Sequence, residues 1–269
     1  WVTANAMTGD GHGDDGHQDD TYVDTHGDST HDSNESDTQD QVVVIDPFTD
    51  EITRRIDIGT GLHLAHVVLT PDGQHALAVA QETGQVYKID TSSFSVLGSV
   101  KTTDGAGPHG LRVTPDGRYA YVAMMAGQGI GKLDLPTMTF EYVPLNGQAV
   151  QTAITPDGQY VAASVFDTKS VALYNTETAD LEYVVLPNGA KGPLQLYPSS
   201  DSRYIFVADQ GHEFGQPDSN KLHKVDLNTR SIVQTVEVGT APHGVVLSPD
   251  DKFTYVTNLV SNDVSIVDN

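Results

Sequence analysis

The chain has 269 residues, with 37 acidic against 14 basic side chains, a net charge of −23 and no cysteine. So few cations exclude a nucleic-acid partner, whose phosphates are gripped by clustered Lys and Arg, and disfavour an anionic membrane surface. No apolar run approaches the roughly 20 residues that cross a bilayer, so membrane insertion is not expected, and disulfide or thiol chemistry is ruled out.

At 38% hydrophobic residues the chain can pack a core, and its length suits one large all-β or barrel domain spanning residues 1–269. No signal peptide is recognisable from Trp1 onward. The first segment, WVTA at Trp1 to Ala4, reads as a strand. An insertion, residues 7–40, follows it and carries eleven Asp or Glu, four His and no Lys or Arg, so −11 of the −23 charge lies there. Low hydropathy and like charge oppose compaction unless a cation intervenes. Within the insertion Asp10-x-His12-Gly13-Asp14-x-x-His17 recurs fourteen residues later as Asp24-x-His26-Gly27-Asp28-x-x-His31. Neutral imidazoles suit zinc or copper, carboxylates also serve calcium, and the glycines let the chain fold tightly around an ion. The metal candidates are therefore Asp10, His12, Asp14, His17, Asp24, His26, Asp28 and His31, with zinc or copper favoured and calcium as a companion. The competing reading is a solvated acidic loop packed against a neighbour.

Beyond the insertion two series of segments keep step. VVVID, VYKID, IGKLD, VALYN, LHKVD and VSIVD end at Asp46, Asp90, Asp134, Asn175, Asp226 and Asp268, spaced 44, 44, 41, 51 and 42 apart. Between them fall TPDG at Thr70, Thr114 and Thr155, a degenerate PSSD at Pro198 and SPDD at Ser248. Pro, Asp and Gly in this order are hairpin-turn chemistry, and the apolar stretches on either side read as strands. Each period then holds four strands, and a four-stranded antiparallel sheet repeated every 40-odd residues is a propeller blade, whose two faces are buried only by stacking. The first repeat lacks its inner strand and the last its outer one, so six visible repeats, four of them complete, predict 22 strands. Neither end is a blade boundary; the chain is expected to be part of a seven-bladed propeller or to be completed by a neighbouring chain. The Asp residues that close the third strands are expected to cap turns.

YVTN at Tyr255 to Asn258, preceded by PHGVVLSPDD and followed by VSIVD, resembles the YVTN-type β-propellers of surface-layer and periplasmic proteins. The resemblance covers nearly everything outside residues 7–40 and implies an extracytoplasmic scaffold. The absent cysteine is compatible with that location. In such blades the loops between second and third strands share a face with the connections between blades. That face collects His63 and His66 in GLHLAH, His109 in GPHG, His243 in APHG, and the acid–base candidates His212 and Glu213 in an enlarged loop from Asp209 to Lys221. His63, His66, His109 and His243 are the cofactor-binding candidates, because related propellers, including a copper-cluster nitrous oxide reductase and haem-binding nitrite reductase relatives, take ligands from this region. The ordinary role of Pro-His-Gly in YVTN repeats, shaping the blade connection, stays open beside it.

No nucleophile elbow, phosphate-binding loop or His-Glu-x-x-His appears, so no catalytic residue is assigned. The first function expected is a non-enzymatic metal-binding scaffold, with metal ions and other protein subunits as partners. The alternatives are a metal- or haem-dependent redox protein using the channel-mouth histidines and a plain protein-interaction propeller.

Overall fold

The five repeated turns close through one set of bonds. At the first, Thr70 Oγ1 donates to Asp72 Oδ1 at 2.6 Å, the Gln74 amide donates to the same oxygen at 3.0 Å, and the Gly73 amide returns to the Thr70 carbonyl at 2.8 Å. Thr114 with Asp116, Thr155 with Asp157, Ser199 with Asp201 and Ser248 with Asp250 repeat the hydroxyl–carboxylate bond. The turn needs a left-handed fourth residue, which Gly73, Gly117 and Gly158 supply at φ 68°, 71° and 73°; Ser202 and Asp251 adopt it at 61° and 56°.

The computed structural model describes residues 1–5 and 39–269. Among these the chain forms 22 strands in six antiparallel sheets and no helix. The first sheet has three strands, β1 (Val2–Ala4), β2 (Asp40–Ile45) and β3 (Ile52–Gly59). Four complete blades follow: β4 (Leu64–Leu69) to β7 (Val96–Lys101), β8 (Pro108–Val113) to β11 (Thr139–Pro144), β12 (Ala149–Ile154) to β15 (Leu181–Val185), and β16 (Pro193–Pro198) to β19 (Ser231–Glu237). The last sheet has β20 (Pro242–Leu247), β21 (Phe253–Asn258) and β22 (Asp263–Asp268). The repeat reading thus holds strand for strand, including the missing inner strand at one end and the missing outer strand at the other.

Sheets stack because each presents apolar side chains on both faces. Leu77 and Val79 of the second sheet pack with Leu111, Val122 and Leu133 of the third, and Leu173 and Val184 of the fourth with Leu196, Ile205 and Val225 of the fifth. Equivalent clusters join the first sheet to the second, the third to the fourth and the fifth to the sixth. The third-strand acids cap the outer hairpins as expected: Asp90 Oδ1 accepts the Ser92 and Ser93 amides at 3.1 and 2.7 Å, and Asp226 Oδ1 accepts those of Asn228 and Thr229 at 2.8 and 3.2 Å. Those bonds hold the Asp90 carboxyl well below its ordinary pKa.

One irregularity positions the functional face. Each inner strand slips register at its start: between Leu64 and His66 in β4, Pro108 and Leu111 in β8, Ala149 and Thr152 in β12, Pro193 and Leu196 in β16, and Pro242 and Val245 in β20. Such bulges re-aim the side chains they carry. The eight metal candidates of the insertion lie outside the described residues. At its end, Asp40 already belongs to β2, and its carboxylate accepts the Leu62 amide at 2.5 Å.

Candidate functional site at the channel mouth

The inner strands β4, β8, β12, β16 and β20 stand side by side around the axis, and their bulges set His109 and His243 at the mouth. His109 Nδ1 donates to the Val150 carbonyl at 3.1 Å, across to the next inner strand. His243 Nδ1 donates to Gln210 Oε1 at 2.7 Å, and Gln210 Nε2 donates onward to Glu213 Oε1 at 3.4 Å. Because both acceptors are carbonyl oxygens, Nδ1 carries the proton in each ring and Nε2 keeps the basic lone pair.

Burial lowers the pKa of His109, and the neighbouring His243 and His63 push it further down against the Val150 carbonyl and Glu213. His243 opens to solvent at the rim, yet desolvation by the packed surroundings still lowers it, with Glu213 opposing. His66, in β4, is lowered from 6.5 to about 4 by burial, by Arg112 and by His109. These three imidazoles are therefore neutral at pH 7. His63 lies exposed in a left-handed turn at φ 51°, near enough for His109 to feel its charge.

The enlarged loop delivers Glu213. Its root is Asp209, fully buried, which accepts the Lys191 and Gly192 amides at 2.9 and 2.7 Å and the Ser219 hydroxyl at 2.7 Å. Phe214 then packs edge-on against Phe166 of the fourth blade, with ring centres 4.9 Å apart. His212 and Glu213 do not form a pair with each other: His212 Nδ1 meets Asp218 Oδ1 at 2.8 Å, while Glu213 turns to Gln210. Val150, Phe166 and Leu194, with Met125 packed beside them, form a small buried apolar cluster. The mouth therefore brings together basic nitrogens and one carboxylate.

Of the four cofactor candidates, His109 and His243 are both set at the mouth, His63 flanks them, and His66 is engaged below, where Arg112 Nη1 lies 2.7 Å from its Nε2. Among the described residues no group of three or more His, Asp or Glu is arranged to hold a metal ion. Sequence reasoning missed Gln210 and Arg112. Gln210 carries no sequence signal, but Arg112 has one: it stands two residues before the turn threonine, where the other repeats place Val68, Ala153, Tyr197 and Val246. A cavity of about 270 Å³ between the third and fourth blades, at Thr114, Asp116 and Asp157, opens on the opposite face, and those three polar groups are committed to turn closure.

The family model described as lactonase, 7-bladed beta-propeller, matches residues 29–213. Among solved structures, a virginiamycin B lyase from Staphylococcus aureus is similar at 13% identity with a TM-score of 0.68, over 85% of this chain and 77% of that one. A functionally unknown protein from Desulfotomaculum acetoxidans is similar at 16% identity and a TM-score of 0.70, over 84% and 75% of the two chains. A streptogramin B lyase is similar at 14% identity and a TM-score of 0.69, over 85% and 76%. Likeness at such identities speaks to the fold alone. A search of curated proteins gives no significant match. The matches support a propeller family without singling out the surface-layer YVTN branch.

Proposed function

This chain belongs to the lactonase seven-bladed β-propeller family, and we propose that its channel mouth binds and opens a cyclic ester. The observation that carries this reading is the pair of neutral imidazoles, His109 and His243, each with Nδ1 fixed on a carbonyl oxygen and Nε2 left basic. A general base must be unprotonated at the working pH and held by an orienting partner. Gln210 and Glu213 orient His243; the Val150 carbonyl orients His109. In the proposed step one Nε2 takes a proton from water as its oxygen attacks the ester carbonyl. The ring C–O bond then breaks, and the imidazolium returns the proton to the departing alkoxide, giving a hydroxy acid.

The test is a panel of five- and six-membered lactones followed by pH-stat. Turnover should fall by about 10²-fold or more in His109→Ala or His243→Ala. Equal turnover in native protein and both variants, or none with any lactone, would overturn the proposal.

A second reading rests on the duplication Asp10–His17 and Asp24–His31: an extracytoplasmic YVTN-type scaffold whose insertion holds zinc or copper, alone or beside calcium, with other subunits meeting it at the insertion face or the incomplete end sheets. What supports it is two His and two Asp repeated in one register. Metal analysis of the purified full chain, before and after chelation, tests it. Stoichiometric metal lost on His12→Ala plus His26→Ala would support it, and metal-free protein after incubation with zinc, copper and calcium would end it.

A further inference from the structure

A guanidinium sits inside the channel with no carboxylate against it among the described residues. Arg112 projects from β8 below the mouth, where a cavity of about 190 Å³ is lined by Arg112, Val113, Ala153, Ile154, Leu196 and Tyr197, closed by Pro198. Three consecutive inner strands, β8, β12 and β16, supply that lining, so the cavity lies on the axis. Arg112 Nη1 is fixed twice, donating to the Leu111 carbonyl at 2.7 Å and contacting His66 Nε2 at 2.7 Å. His66 is neutral, so it can accept this bond at Nε2 while carrying its proton on Nδ1. The tether orients the guanidinium without cancelling its charge. Nε and Nη2, the edge that forms a two-pronged fork with an oxyanion, have no partner among the described residues.

The composition sharpens this. A chain with 37 acidic side chains places none of the described ones within ion-pair distance of Arg112; of its other arginines, Arg118, Arg203 and Arg230 pair with Asp134, Asp226 and Glu182 at 3.8, 3.1 and 3.4 Å, and Arg54 and Arg55 are exposed to solvent. Burial lowers the Arg112 pKa, and Tyr197 is the group that opposes this. Arg112 is half-buried, and a cation drawn partly out of water is ordinarily paired, because the hydration it gives up is otherwise uncompensated. The remaining side chains at its level in the repeat, Val68, Ala153, Tyr197 and Val246, are apolar or phenolic.

We propose that the axial cavity is a binding site for a small organic carboxylate, whose oxygens would dock on the Nε/Nη2 edge of Arg112 while its apolar body packs against Ala153, Ile154, Leu196 and the Tyr197 ring. The planar fork matches a carboxylate in two parallel bonds. His109 and His243 do not line this cavity, and binding here is read without turnover, so its failure is distinguishable from failure of ester opening.

The experiment titrates the full-length protein with benzoate, acetate and inorganic phosphate at constant ionic strength, read by calorimetry and by the melting temperature. Benzoate should bind saturably and raise the melting temperature, with acetate weaker because it lacks the apolar body. Arg112→Met should lose about tenfold or more in benzoate affinity. It should also melt no lower than native protein in anion-free buffer, because a half-buried charge with no acid beside it among the described residues is gone. Arg112→Lys, which keeps the charge but not the fork, should retain only weak binding and guards against misfolding of the methionine variant. Absence of saturable benzoate binding by native protein, unchanged binding in folded Arg112→Met, or phosphate binding tighter than benzoate would each overturn the proposal.

Discussion

Gly110, the last residue of the Pro-His-Gly turn in β8, is where packing and the mouth meet. A Cβ built there collides with Gln151 Oε1 and lies 2.5 Å from Gln151 Cδ and 2.7 Å from its Cα. The side-chain amide could swing aside; the Cα is held, because the Gln151 backbone amide donates to Ser164 Oγ at 3.0 Å and the next residue, Thr152, pairs with Ala163 of β13. That Cα separation falls about 0.7 Å short of the 3.4 Å at which ordinary contact begins. Gly110→Ala should therefore wedge β8 from β12, an overpacking that costs about 1–3 kcal/mol. At this chain length that lowers the melting temperature by roughly 2–10 °C. The same wedge would lengthen the His109 Nδ1 to Val150 carbonyl bond, so lactone turnover should fall with it. Gly244→Ala is the internal control. Its Cβ meets only the Thr257 side chain, with the hydroxyl at 2.7 Å and the next atom at 3.8 Å. Rotation of that threonine gives up the bond its hydroxyl accepts from the Gly244 amide, a cost of about 1 kcal/mol or less. Thermal denaturation followed by circular dichroism compares the two. Equal losses in both variants, or a Gly110→Ala protein that melts with the native one, would refute the steric reasoning.

Acid should destabilise the propeller in a defined window. Between pH 6.5 and about 4 the unfolded chain protonates His66 while the folded chain does not, so stability falls as pH drops through that range. His109, His243 and His223 shift in the same direction through burial. Carboxylates such as Asp250, lowered from 3.8 to about 2 by Lys252 and Ser248, give up their contribution only below that window. Urea midpoints should decline from pH 6.5 to 4 and decline less in His66→Asn; a flat native profile would contradict the assignment. Asp209→Ala strips the carboxylate from two backbone amides and the Ser219 hydroxyl, so unfolding in urea should show a loss of about 2–4 kcal/mol, and turnover should drop as Glu213 loses its anchor. Ala179 sits in a left-handed turn at φ 61°, where glycine is free of Cβ strain. Ala179→Gly should raise stability by about 1 kcal/mol in the same titration.

The strands were legible because each repeat writes its own punctuation. Thr70, Asp72 and Gly73 announce a turn through bonds made within five residues, and Asp90 or Asp226 caps its hairpin through amides two and three positions on. Five copies of that local chemistry fixed the count of strands and the incomplete end blades. His109 and His243 were also visible, as matching positions in two Pro-His-Gly turns.

Their partners were not. Gln210 reaches His243 from 33 residues away, Val150 receives His109 across 41, and Arg112 finds His66 across 46. Such pairings depend on which blade stands next to which and on the bulges that turn the inner strands. His212 and Glu213, neighbours in sequence, face different partners for the same reason. The blades could be read from the chain alone, because a turn or a cap is settled by short-range hydrogen bonds and the period repeats them. Which imidazoles are neutral, and that the half-buried Arg112 meets no acid among the described residues, follow from how the blades pack, because desolvation and charge proximity arise when they come together around the axis.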